Sequence, residues 1–203
     1  MQRSLKTRRP SPKFYLRYMP HPTLLDSRTT ALLVVDIQEA FRNAIPDFAV
    51  TASRTSMAVR GFHILDIPVL VTEQYPEGLG PTAEEIRLGL PDSFEAFEKT
   101  EFSSGGADAL IPRLNELGVK QVVLCGLETH ICVSQTALDL LDRGFQVHLL
   151  IDSVCSRFED DKQAGIARMR ASGVVSSSIE MALFELMRDS KHDKFKEIQA
   201  LIK

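Results

Sequence analysis

The sequence predicts an α/β fold: a doubly wound sheet of mainly parallel strands, covered by helices on both faces to make three layers. Three observations lead there. Four short runs, Ala31–Val35, Pro68–Thr72, Gln121–Cys125 and Gln146–Ile151, are almost continuous in Leu and β-branched residues. That is the pattern of strands buried on both faces. Stretches of helical period lie between them, and strand–helix–strand at these lengths is the right-handed crossover unit.

The first run ends at Asp36 and the fourth at Asp152, with weaker strand candidates at Phe94–Phe97 and Gly173–Ser176. Ala109–Leu117 places Leu110, Leu114 and Leu117 on one face and stops at Gly118. Cys132–Leu141 repeats that spacing with Val133, Thr136, Ala137, Leu140 and Leu141, and stops at Gly144. Helices follow over Asp161–Ala171 and Ile179–Met187. Ser177 with Glu180 reads as a capping box for the last, and Thr82 with Glu85 as another.

Composition narrows the function. The 203 residues carry 24 basic and 27 acidic side chains, a net of −3, which argues against a general nucleic-acid binder. The charge is uneven: Arg3, Lys6, Arg8, Arg9, Lys13 and Arg17 precede any acid, so the rest carries 18 basic against 27 acidic, or −9. Residues 1–27 read as a basic N-terminal arm and 28–203 as one domain. The arm has no apolar core of a secretory signal, and Pro10, Pro12 and Pro20 interrupt the amphipathic helix of an organelle presequence. An arm lying on an acidic body or a partner subunit is the simpler reading, with organelle targeting second. The longest apolar run is five residues, Ala31–Val35, too short for a bilayer. Three cysteines make no disulfide framework and point to a reducing compartment, hence the cytoplasm.

In an open parallel sheet, ligands sit beyond the carboxyl ends of the strands. Asp36 follows the first strand, Lys99 lies beside the weak third, and Cys132 opens the helix after Gly126. Helix-dipole and lysine charge would favour a Cys132 thiolate, a nucleophile toward a carbonyl carbon. Each residue alone has a plain reading: Cys132 as a small buried hydrophobe, Asp36 as a cap, Lys99 as a solvated charge. Their convergence on one sheet edge favours chemistry. Gly78-x-Gly80 and Gly105-Gly106 complete no phosphate loop, and His63 with Asp66 is the only metal-like spacing. His130, two residues before Cys132, faces away from it and is placed at the pocket mouth, while Cys125 and Cys155 read as packing residues.

Three motifs, Leu32–Gln38 with Asp36, Lys99-Thr100-x-Phe102-Ser103, and Cys125–Val133 with Cys132, resemble the isochorismatase-like cysteine hydrolases. The run Thr136–Val147, the segment Thr72–Pro76 and the tail Phe195–Gln199 extend the resemblance, which is closest to the isochorismatase domain-containing subgroup and covers about residues 28–203. It implies a Rossmann-like sheet of six strands and an Asp36–Lys99–Cys132 triad. Asp36 would be the general base, and Lys99 would stabilise the thiolate and developing charge. It also implies a cis peptide at Leu127–Glu128 that aims the amides of Glu128 and Cys132 at an oxyanion. Isochorismatases proper lack the cysteine, which argues against vinyl-ether cleavage. The segment Glu73-Gln74-Tyr75-Pro76 lacks the Asp-x-His ligands of the metal-dependent nicotinamidases, so neither metal nor other cofactor is expected.

The function these residues predict is hydrolysis of a small amide, imide or related acyl C–N bond through a thioester on Cys132. The alternative is a low-turnover metabolite-binding or scaffold protein on the same fold. Phe41, Gln74, Tyr75 and His130 are expected to line the pocket. Aromatic residues at loop positions, Phe41, Phe94, Phe97 and Phe102, and the segment Tyr75–Pro81 predict a homo-oligomer, at least a symmetric dimer, in which a neighbour walls the pocket. Neither a membrane nor a specific nucleic acid is expected as partner.

Overall fold

Six strands, β1 (Thr30–Val35), β2 (Val69–Gln74), β3 (Phe97–Lys99), β4 (Gln121–Gly126), β5 (Gln146–Val154) and β6 (Val175–Ser177), pair in the order β3-β2-β1-β4-β5-β6. Every pair is parallel. The computed structural model describes residues 20–203, so most of the predicted basic arm lies outside the described residues. Residues 20–27, which the sequence assigns to that arm, pack on the amino end of the sheet. Leu25 is fully buried, and the Gln121 side chain takes a hydrogen bond from the Asp26 amide at 2.6 Å.

All six residues of β1 are buried because both faces are covered. Leu32 and Val34 pack under α1 (Phe48–Ile64), α7 (Ile179–Met187) and α8 (Phe195–Ile202). Ala31, Leu33 and Val35 pack under α4 (Leu110–Glu116), α5 (Ser134–Asp142) and α6 (Glu159–Ala171). Burying each such Val or Leu side chain contributes roughly 1.5–3 kcal/mol, which is why a central strand takes this composition. Two short turns, α2 (Pro76–Leu79) and α3 (Glu84–Arg87), lie between β2 and β3.

The weak strands are displaced from their expected positions, to Phe97–Lys99 and Val175–Ser177. The cap of α7 is Ser178, whose hydroxyl accepts from the Met181 amide at 3.2 Å, rather than Ser177. Thr82 caps nothing, because its amide and hydroxyl both donate to the buried Glu73 carboxylate at 2.6 Å. The predicted Cys132–Leu141 helix is two pieces, a π turn over Thr129–Val133 and then α5.

The chain winds outward from β1 to β3, then returns to lay β4 against the other side of β1. The loops after β1 and β4 therefore part toward opposite faces and leave a crevice at the switch point. Gly126 ends β4 at φ 126°, where a β-carbon would sit 2.0 Å from the Val35 carbonyl oxygen. Only glycine lets the two central strands come this close at their carboxyl ends.

Candidate active site

β1 delivers Asp36 to the crevice with φ 52°, a left-handed conformation that Asp tolerates better than most residues. Its amide donates to the Thr72 carbonyl at 3.2 Å, so the β1–β2 ladder fixes its height. Lys99 ends β3 in register with Gln74. Its Nζ lies 2.6 Å from Asp36 Oδ2, and both side chains are almost wholly shielded from water. The same ammonium donates to Gln74 Oε1 at 2.8 Å and to the carbonyls of Glu101 and Phe102 at 3.1 and 3.2 Å. Three N–H bonds thus meet four acceptors, so Lys99 acts on its surroundings through charge.

Cys132, 8% exposed, lies close enough to Asp36 and Lys99 for both charges to act on its thiol. The structure therefore brings together the three residues the sequence singled out. It corrects their resting state. Burial first, and then the Asp36 charge, push the thiol up to about 12 against the pull of Lys99, so Cys132 rests as a neutral thiol and not as a thiolate. Burial also raises the Asp36 carboxyl above its ordinary value, against Lys99, Thr72 and the thiol. That makes it a stronger base.

Other expectations need correction. There is no cis peptide among the described residues. At Leu127–Glu128 the turn is made instead by Gly126 and the π turn, with Leu127 donating to the Val35 carbonyl at 2.9 Å. Phe41 is half-buried and packs against the core cluster that includes α1. His130 is turned from the site, its Nδ1 3.0 Å from Ser156 Oγ and its Nε2 3.8 Å from Asp161. Gln74 is in the site as a partner of Lys99. Tyr75 is exposed and lines, with Phe94, Phe97 and Lys99, a groove of about 1180 Å³ along the outer edge of β3. Cys125 and Cys155 are buried and raised to about 12 and about 11, first by desolvation, as packing thiols should be.

Sequence reasoning missed Thr72, whose hydroxyl donates to Asp36 Oδ1 at 2.7 Å, and Gln38. The Gln38 amide group bridges the Gln74 backbone and the Gly80 carbonyl, holding the loop after β2. A threonine and a glutamine on fully buried positions were the available signal. The Glu128 carboxylate likewise binds Arg157, accepting from its amide at 2.9 Å and its Nε at 3.1 Å.

Asp36, Lys99 and Cys132 thus stand together beyond the carboxyl ends of a six-stranded parallel sheet. The isochorismatase domain matches residues 30–181, and the chain belongs to that family. It is 42% identical to isochorismatase domain-containing protein 1 of Salmo salar, over 95% of this chain and 70% of that one. It is 39% identical to isochorismatase domain-containing protein 2 of Danio rerio, over 88% and 89%. Among solved structures it is similar to the MAR1 ribonuclease of Caenorhabditis elegans, with a TM-score of 0.81 and 37% identity over 88% of this chain and 91% of that one. The pyrazinamidase of Pyrococcus horikoshii, solved in complex with zinc, has a TM-score of 0.64 and 26% identity over 73% and 98%. The residues here do not fit such an ion. Among the described residues no three His, Cys, Asp or Glu side chains are grouped to hold one, and Glu73 is committed to Thr82.

Proposed function

We propose that the protein hydrolyses a small amide, imide or related acyl C–N bond through a thioester on Cys132. One observation carries the reading: a buried carboxylate, Asp36, stands between a buried ammonium and a buried thiol. As the sulfur attacks the carbonyl carbon, its proton passes to Asp36. The backbone amides of Glu128 and Cys132 would donate hydrogen bonds to the oxyanion. Collapse breaks the C–N bond, and the leaving nitrogen takes the proton from Asp36. Water, deprotonated by Asp36, then attacks the thioester carbonyl, the C–S bond breaks, and the sulfur takes the proton back from Asp36 as the acid is released. Lys99 keeps Asp36 ionised between proton transfers and lowers the cost of negative charge at the sulfur.

The test is an amide, imide and ester panel with wild type and Cys132→Ser, with intact-mass detection of an acyl adduct. Turnover in the wild type, lost in the serine variant, supports the thioester route. Equal activity in both removes Cys132 from the chemistry, and no turnover in either favours the metabolite-binding alternative. The ribonuclease name of the Caenorhabditis elegans relative motivates one added arm, an RNA substrate. The buried triad favours a small molecule, since a phosphodiester backbone cannot reach a carboxylate and ammonium sealed from water. RNA cleavage dependent on Cys132 would overturn that preference.

The protein would work as a homo-oligomer. Phe102, whose carbonyl holds Lys99, is 57% exposed, and Phe158, next to the Arg157 that binds Glu128, is 64% exposed, so two large apolar side chains face water on segments that contact the site. Covering them with a neighbouring chain would also keep bulk water from the thioester. Three buried free thiols fit a reducing compartment, and no helix among the described residues is long and apolar enough to cross a membrane.

A further inference from the structure

We propose that Thr72 is a positioning residue for the general base, its hydroxyl being a link in a buried chain from Asp36 to α5, the helix that follows the nucleophile's π turn. The inference rests on the thioester reading above, in which Asp36 takes the thiol proton.

Thr72 lies on β2 in register with Val35, one residue short of Asp36 on the neighbouring strand, and is fully buried. Its Oγ1 has a single proton, which goes to Asp36 Oδ1 at 2.7 Å. The Ser104 hydroxyl, 3.3 Å from the same Oγ1 and also fully buried, must then be the donor to Thr72. The Ser104 amide in turn donates to Thr136 Oγ1 at 2.8 Å. Thr136 stands on α5, four residues beyond Cys132. The path Thr136–Ser104–Thr72–Asp36 therefore sets the base and the helix continuing from the nucleophile's turn in one frame.

Rotation about the bond to a carboxylate group is soft, so a single contact to Lys99 leaves the plane of Asp36 poorly fixed. A donor on the other oxygen fixes it. Donation to the charged form also opposes the desolvation that favours the protonated acid, and so keeps the base available at lower pH. A hydroxyl that merely satisfied itself in the core would do neither.

Iodoacetamide serves as the probe: the S–C bond forms as iodide leaves and the thiol proton passes to Asp36. The rate of carbamidomethylation at Cys132 is followed by peptide mass spectrometry on the full chain from about pH 4 to 9. Wild type, Asp36→Asn, Thr72→Val, Thr72→Ser and Ser104→Ala are compared. The wild-type profile should show a low-pH limb that Asp36→Asn lacks. Thr72→Val should move that limb upward, slowing alkylation roughly threefold or more at a pH on the limb. Thr72→Ser should restore it, and Ser104→Ala should shift it less in the same direction. A Thr72→Val limb that coincides with wild type overturns the inference alone, as does a Thr72→Ser profile like that of valine. If Thr72→Val does not fold, an unshifted Ser104→Ala limb has the same force. Identical profiles for wild type and Asp36→Asn remove the base itself, and the thioester reading falls with the inference.

Discussion

Gly165 on α6 rests against the backbone of His130, so closely that a β-carbon at Gly165 would lie 2.9 Å from His130 Cα and 3.0 Å from the Thr129 carbonyl oxygen. The π turn that holds Cys132 is thereby seated on a neighbouring helix, two residues from the sulfur. Gly165→Ala should push the turn outward by a few tenths of an ångström. Overpacking of this kind costs about 1–3 kcal/mol, which chemical denaturation would read. Alkylation of Cys132 should change severalfold while Cys125 and Cys155 stay unreactive.

Lys99→Met should be among the most destabilising single changes. It leaves the Asp36 carboxylate buried without its cation, a loss of about 3–5 kcal/mol near neutral pH. The sign of its pH dependence follows from Asp36, whose folded-state pKa is already raised by burial. A raised carboxyl binds more protons folded than unfolded, so its contribution is greatest at low pH and is lost as pH rises through the folded value. The gap between Lys99→Met and wild type should narrow in urea denaturation as pH is lowered toward about 4.

His148 on β5 is fully buried, and neither ring nitrogen has a hydrogen-bond partner among the described residues. Desolvation alone lowers it to about 4, so it is neutral in the fold and charges only after unfolding. The unfolded chain then binds the extra proton between about pH 6.5 and 4, and stability should fall as pH drops through that window. The ceiling is on the order of 3 kcal/mol. A His148→Leu variant should lose this part of the acid sensitivity, and a denaturation series unchanged from wild type would refute the assignment.

Phe102 and Phe158 give the assembly expectation a direct handle. Light scattering coupled to gel filtration should find at least a dimer at micromolar concentration. The double change Phe102→Asp, Phe158→Asp should shift it toward monomer without lowering the melting temperature of the isolated fold. A wild-type monomer would contradict the expected oligomer.

The sheet was readable from sequence because β1, β2, β4 and β5 are long enough to carry a continuous apolar signal. β3 and β6 have three residues each and borrow their order from a neighbouring strand, so their ends were misplaced. The period of α1 is faint because much of its buried stripe runs through Thr51, Ala52, Thr55 and Ala58, small residues that blur the contrast on which periodicity depends. The triad residues were legible as types at strand ends. The charge state of Cys132 was not, because it depends on how much water the π turn excludes and on which acid faces the sulfur. Neither quantity is local in sequence. Thr72 and Ser104 were missed for a related reason: a hydroxyl within an apolar run looks the same whether it meets a carboxylate or nothing.

Lys99 belongs to the shortest and outermost strand on its side of the sheet, yet its ammonium is anchored to the central strand through Asp36. Peeling β3 away would carry the cation off and leave a bare carboxylate inside the protein, so the margin cannot fray without an electrostatic penalty at the middle. Edge strands are ordinarily the loosest part of a sheet. Here the reactive centre works as a rivet for the edge, and amide exchange at Phe97–Lys99 becomes a gauge of whether the centre is assembled.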